Sequence, residues 1–175
     1  NAVGWWILAL LLVVSYPNSA KFWSKNPLLQ LLFAFSTLIP FIAGVLRLRL
    51  EHYTHDPYHG LFLLLYVFVL VWAADSGAYF SGRAFGKRKL APKVSPGKSW
   101  EGVVGGLITA LVLAFVFIHF SGDALVGERN ISGFVILSVA TVAISVLGDL
   151  TESMFKRESG VKDSSQLIPG HGGVL

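Results

Sequence analysis

Cysteine is absent from the 175 residues, which excludes both a disulfide framework and a thiolate metal site. Charge is scarce as well: Asp, Glu, Lys and Arg together make up 14% of the chain, against roughly 25% in an ordinary soluble domain. Apolar residues account for 54% and the mean hydropathy is +0.64, so the missing charge has been replaced by hydrocarbon. A soluble globular enzyme is thereby excluded, and a membrane protein is expected.

Five apolar runs can be traced, over residues 2–16, 28–46, 61–80, 103–120 and 131–150. A bilayer core of about 30 Å calls for about 20 apolar residues of helix, so the last four suffice and the first is short. That first run has neither a basic leader nor a small-x-small cleavage site, so it reads as a clipped span rather than a signal peptide. The expected fold is an all-α, polytopic transmembrane helical bundle of about five spans. It forms a single integral-membrane domain over 1–175, read as a fragment of a longer protein, with polar motif loops at 81–102 and 153–175.

Sorting the basic residues by loop gives an orientation. Eleven of the fourteen lie in the odd-numbered loops, from Lys21 and Lys25 through Arg83, Lys87, Arg88, Lys89, Lys93 and Lys98 to Lys156, Arg157 and Lys162. Only Arg47, Arg49 and Arg129 fall in the even ones, which sets the odd loops in the cytoplasm. The third loop, SGRAFGKRKLAPKVSPGKSWEG, is also punctuated by Gly and Pro. Turns of that kind present successive backbone N–H groups to anions, and interleaved Lys and Arg add charge for phosphate oxygens. A polyphosphate ligand is the reading this favours over a plain lipid-facing basic cluster.

Carboxylates at the ends of apolar runs carry the rest of the argument. Asp75 follows fourteen apolar residues, and an Asp in a transmembrane segment costs about 2.5–3.5 kcal/mol at the centre, so it usually faces a partner, a cavity or an ion. Asp149 closes the last run, and helical spacing puts Glu152, Ser153 and Lys156 on its face. Lys162, Asp163 and the turn Pro169-Gly170-His171-Gly172-Gly173 follow. Carboxylates beside cations beside a glycine turn suit a metal-bound phosphate, and magnesium fits best because it takes one or two carboxylates and leaves room for water and phosphate. His52, His55 and His59 sit in a Pro-containing loop on the other side and add no metal reading.

Ser153, Lys156, Arg157, Lys162, Asp163, Ser165, Ile168, Pro169, His171, Gly172 and Gly173 match, in order and spacing, the signature S-x-x-K-R-x(4)-K-D-x-[GSA]-x(2)-[LIF]-[PG]-x-H-G-G-x-x-D-R-x-D. On these residues, and on ADSGAYFSGRAFGKRKLAPKVSPGKSWEG, the chain resembles the bacterial phosphatidate cytidylyltransferase (CDP-diacylglycerol synthase) family across its whole length. The resemblance implies a multi-pass enzyme of the bacterial inner membrane. Such an enzyme transfers the cytidylyl group of CTP to phosphatidic acid, giving CDP-diacylglycerol and pyrophosphate in phospholipid biosynthesis. It also implies a Mg2+ cofactor with a monovalent cation such as K+ as helper, a homodimer, and no nucleic-acid partner.

The Asp at the position of Asp149 is a cation ligand in that family. Lys156, Arg157 and Lys162 are assigned to phosphates, and Asp163 to a place beside the metal or the nucleotide. Asp75, Arg83, Lys87, Lys93, Lys98, Ser153, His171, Gly172 and Gly173 are assigned to substrate binding. Two rivals are a CTP-dependent lipid kinase of the polyprenol or phytol type and a membrane transporter. No internal repeat supports the transporter, and the charges crowd helix ends rather than the midplane.

Two packing expectations follow. The third and fifth helices should be neighbours, so that Asp75 approaches Asp149, and the fourth should pack through Gly102, Gly105 and Gly106. The chain stops at Leu175, before the D-R-x-D of the signature. It is therefore expected to turn over little by itself, with activity restored when D-R-x-D and one further span are added; pyrophosphate release by the two proteins, purified alike, measures this.

Overall fold

The computed structural model describes residues 2–121 and 131–160. Six helices and one hairpin follow in order: α1 (Ala2–Val14), α2 (Ala20–Trp23), α3 (Pro27–Arg49), α4 (His59–Phe85), β1 (Lys89–Ala91), β2 (Ser95–Ser99), α5 (Trp100–Ser121) and α6 (Ile131–Glu158). α3, α4, α5 and α6 are long and apolar enough to cross a membrane, and α1 is a shorter apolar helix. The chain is thus built as a multi-pass helical membrane bundle. The small antiparallel hairpin is an addition to the all-helical expectation.

Local chemistry accounts for the helix boundaries. Pro27 opens α3 where its missing N–H costs nothing, and the Asn26 side chain accepts from the N–H groups of Leu28 and Leu29 at 3.1 and 3.3 Å. Ser99 caps α5 by accepting from Gly102 N–H at 3.2 Å. The apolar stretches continue as helix into the polar sequence on either side. α4 carries on past Asp75 to Phe85, and α6 runs unbroken through Asp149 to Glu158. Part of what reads as motif loop is therefore helix: the connection between α4 and α5 shrinks to residues 86–99, and residues 153–158 belong to α6.

α4 and α5 form the closest helix pair. A methyl group on Gly106 would lie 2.9 Å from the Ala74 carbonyl oxygen, and one on Gly102 equally close to that of Ala78. Gly105 faces Ser81 in the same seam. Backbone meets backbone along this line, which is the close approach that small residues permit where lipid removes the hydrophobic drive for helix association. The expected role of these three glycines holds, and α4 is the helix they pack against.

Two apolar clusters hold the other contacts. Tyr66, Leu70 and Ala74 of α4, Ala110 of α5 and Val142 of α6 make one, and there the Tyr66 hydroxyl hydrogen-bonds the Ser138 hydroxyl at 2.7 Å. The second joins Trp5, Ala9 and Val13 of α1, Trp23, Phe33 of α3, Val94 of the hairpin turn, and Leu150 and Met154 of α6. α4 and α6 are in contact, as expected from their two carboxylates.

Replacing Gly106 with Leu should destabilise the fold by about 1–3 kcal/mol, the usual cost of overpacking, because carbonyl backbone cannot rotate away. Gly44→Ala, at a site with open space around it, should be neutral. Thermal unfolding of both variants in detergent measures the difference.

Candidate functional site

The linker from Gly86 to Ser99 folds because its own turn signals allow it. β1 and β2 pair Lys89 with Ser99 and Ala91 with Ser95, so the register shifts between the two pairs and Pro96, Gly97 and Lys98 lie in the irregular stretch. A Pro in a strand is tolerated at such an edge or bulge, where no ladder hydrogen bond is asked of it. Three fastenings fix the hairpin to the helices. The Val94 side chain is buried between α1 and α6. Arg157 Nε donates to the Val94 carbonyl at 3.3 Å, and the Arg88 N–H donates to the Glu101 carboxylate at 3.2 Å.

Held this way, β2 closes one side of a cavity of about 580 Å3. α4 contributes Asp75, Ala78, Tyr79, Gly82 and Arg83, β2 adds Gly97, Lys98 and Ser99, and α6 adds Val146 and Asp149. Lys98 makes an ion pair with Asp149. Asp75 lies within electrostatic reach of both. At the rim, Arg83 donates to the Tyr79 hydroxyl at 3.1 Å. The walls are mainly apolar and the charges converge from three separate elements, an arrangement typical of sites that take a small polar ligand.

Of the residues singled out from sequence, the cavity brings together Asp75, Arg83, Lys98 and Asp149. Others lie elsewhere. Lys87, ahead of the hairpin, and Lys93, in its turn, are exposed and do not line the cavity. Lys156 pairs with Glu152 at 2.6 Å across one helical turn, and Arg157 is engaged with the hairpin; neither they nor Ser153 line the cavity. The stripe beginning at Asp149 thus divides, with Asp149 facing the cavity and Glu152 and Lys156 paired along α6. Lys162, Asp163, His171, Gly172 and Gly173 lie outside the described residues.

Tyr79 and Ser99 were not anticipated. Tyr79 carried a usable signal, since it lies one helical turn beyond Asp75 and one before Arg83 and so shares their face. Ser99 had the signal of a helix cap, directly ahead of an apolar run, which said nothing about a cavity.

The donor set suits magnesium. Asp75 and Asp149 offer hard carboxylate oxygens on one cavity, and that ion binds through one or two carboxylates, filling its octahedron from water and phosphate. Among the described residues no cluster of three or more His, Cys, Asp or Glu could hold a metal by protein ligands alone. Two carboxylates and an open side fit a metal that arrives with its substrate.

The chain matches the cytidylyltransferase family over residues 1–175. It is 92% identical over all 175 residues to a phosphatidate cytidylyltransferase of Haemophilus influenzae, of which it covers 61%. It is 47% identical to a protein of the same name from Pseudomonas aeruginosa, with 99% of the chain aligned to 60% of that relative. A Bacillus subtilis protein of that name is 47% identical over 120 residues, two thirds of the chain and 42% of the relative. The chain therefore spans about three fifths of the length of the first two relatives. With the match running over the whole chain, the hairpin and both carboxylate-bearing helices included, the chain belongs to the cytidylyltransferase family.

Proposed function

We propose that this chain carries the cation and phosphate end of a phosphatidate cytidylyltransferase site, in which CTP and phosphatidic acid give CDP-diacylglycerol and pyrophosphate. The observation that carries the reading is the convergence of Asp75, Lys98 and Asp149, with Arg83 at the rim, on one cavity where the apolar runs of α4 and α6 give way to polar sequence. A water-soluble triphosphate and a lipid phosphate can meet only at such a boundary. The 92% identity to the Haemophilus phosphatidate cytidylyltransferase supports the choice of substrates.

The chemistry asked of the protein is modest. A phosphatidate phosphate oxygen attacks the α-phosphorus of CTP, one P–O bond forms, the bond from the α-phosphorus to the α–β bridging oxygen breaks, and pyrophosphate leaves carrying that oxygen. A phosphate monoester is already an anionic nucleophile near neutral pH, so positioning and charge neutralisation carry most of the rate and no strong general base is required. Lys98 and Arg83 bind and orient phosphate oxygens. Ala78, Val103 and Val146 line the cavity with hydrocarbon, which strengthens each charge interaction inside it. Asp149 and Asp75 would hold magnesium, which when bound neutralises triphosphate charge. A monovalent ion beside it and a homodimeric assembly belong to the same proposal and rest on the family resemblance. The cytoplasmic placement of the hairpin rests on the sorting of basic residues between the loops.

In the full-length protein, Asp149→Asn should lower magnesium-dependent pyrophosphate release by about 100-fold or more, the scale of losing a positioned electrostatic group. Normal turnover would remove Asp149 from the site. Arg83→Gln should reduce kcat/KM for CTP by about tenfold, as loss of one charged phosphate contact does. The released product discriminates the reaction type: pyrophosphate marks cytidylyl transfer, whereas CDP would mark a lipid kinase.

A further inference from the structure

Six basic residues lie between Arg83 and Lys98, and sequence treats them as one phosphate-binding tract. The structure separates one of them. Lys98 alone of the six reaches a carboxylate of the cavity, and its side chain is 25% exposed where that of Asp149 is 56% exposed. Burying an ammonium more deeply than its partner is unfavourable unless the surroundings supply negative charge. Here two carboxylates do, because Asp75 lies within electrostatic reach of both Lys98 and Asp149. The carboxylate pair is thus the group that holds this ammonium in the structure.

We propose that Lys98 acts as an internal cation, neutralising the Asp75–Asp149 pair and competing directly with the divalent ion for Asp149. The proposal rests on the cation-binding role given to these two carboxylates above. One ammonium against two carboxylates leaves a net charge of −1, and a divalent ion in its place leaves 0. With ion and ammonium together the group carries +1, and Arg83 brings the cavity to +2, which a triphosphate would offset. The same lysine therefore sets two affinities in opposite directions: it weakens the metal when metal comes alone, and it becomes available to phosphate oxygens once Asp149 is taken.

The anchoring of the hairpin limits how far Lys98 can travel. Val94 is buried, Arg157 holds the Val94 carbonyl, and Glu101 holds the Arg88 N–H, so the strand itself stays in place. The exchange is then a swing of one flexible side chain within the cavity wall. Lys87 and Lys93 are exposed and do not line the cavity, so Lys98 is the lysine placed for this exchange.

The test is metal binding without nucleotide, read as Mn2+ affinity by electron paramagnetic resonance on the purified full-length protein in detergent. Lys98→Met and Lys98→Gln should each bind Mn2+ about tenfold more tightly than wild type, the direction and scale expected when a unit positive charge beside a partly exposed carboxylate is removed. Lys98→Arg, which keeps the charge, and Lys21→Met, which removes a distant exposed lysine, should stay within about twofold of wild type. Thermal unfolding of the four variants shows that the hairpin is intact. If wild type binds Mn2+ and the two neutral variants bind it equally or more weakly, the competition is overturned while the cation site stands. If neither wild type nor the neutral variants bind, both readings fall.

Discussion

Two carboxylates that follow long apolar runs and face one cavity need a counter-charge, and the architecture around them follows from supplying one. Asp75 and Asp149 belong to different helices, and only the contact of α4 with α6 brings them to one cavity. Their ammonium comes from neither helix but from a hairpin. That hairpin can reach them because α4 and α5, the helices it connects, run backbone against backbone through Gly102 and Gly106. Had the seam been lined with larger side chains, the α4 and α5 ends would be spread apart and β2 would no longer lie against the cavity.

Apolar and polar contacts divide the work of holding this arrangement. Val94 inserts into the cluster shared by α1 and α6, so the hairpin turn is positioned by burial, which has no strong directional preference. Direction comes from hydrogen bonds. Arg157 aligns the turn on α6, and Glu101 ties the start of β1 to the first turn of α5, where a carboxylate also complements the helix dipole. Arg157 thus bears on the placement of Lys98 by holding the turn that precedes it.

Part of this was legible in the residues themselves. Apolar runs separated by polar stretches specify membrane helices, because a bilayer satisfies no backbone hydrogen bond and sets a minimum length. An Asp at the end of such a run is conspicuous for the same reason, and the two carboxylates anticipated this way do face one cavity. The glycines of α5 were readable as a contact surface. By contrast, the hairpin was concealed within a stretch that reads as basic loop, since its strands are only three and five residues long and carry no alternating apolar pattern.

Sequence by itself determined the membrane-spanning helices, the positions of Asp75 and Asp149 directly after their apolar runs, and the basic character of the segment between α4 and α5. These are local properties, set by hydrophobic length and residue type over a few turns of chain. Which basic residue meets which acid was decided only by tertiary structure. Lys98, Lys156 and Arg157 look alike as members of motif tracts, yet one pairs with Asp149, one with Glu152 and one with a backbone carbonyl. An ion pair forms where two chain segments, distant in sequence, come within a few ångströms, and the packing of α4, α5 and α6 about the hairpin sets that distance.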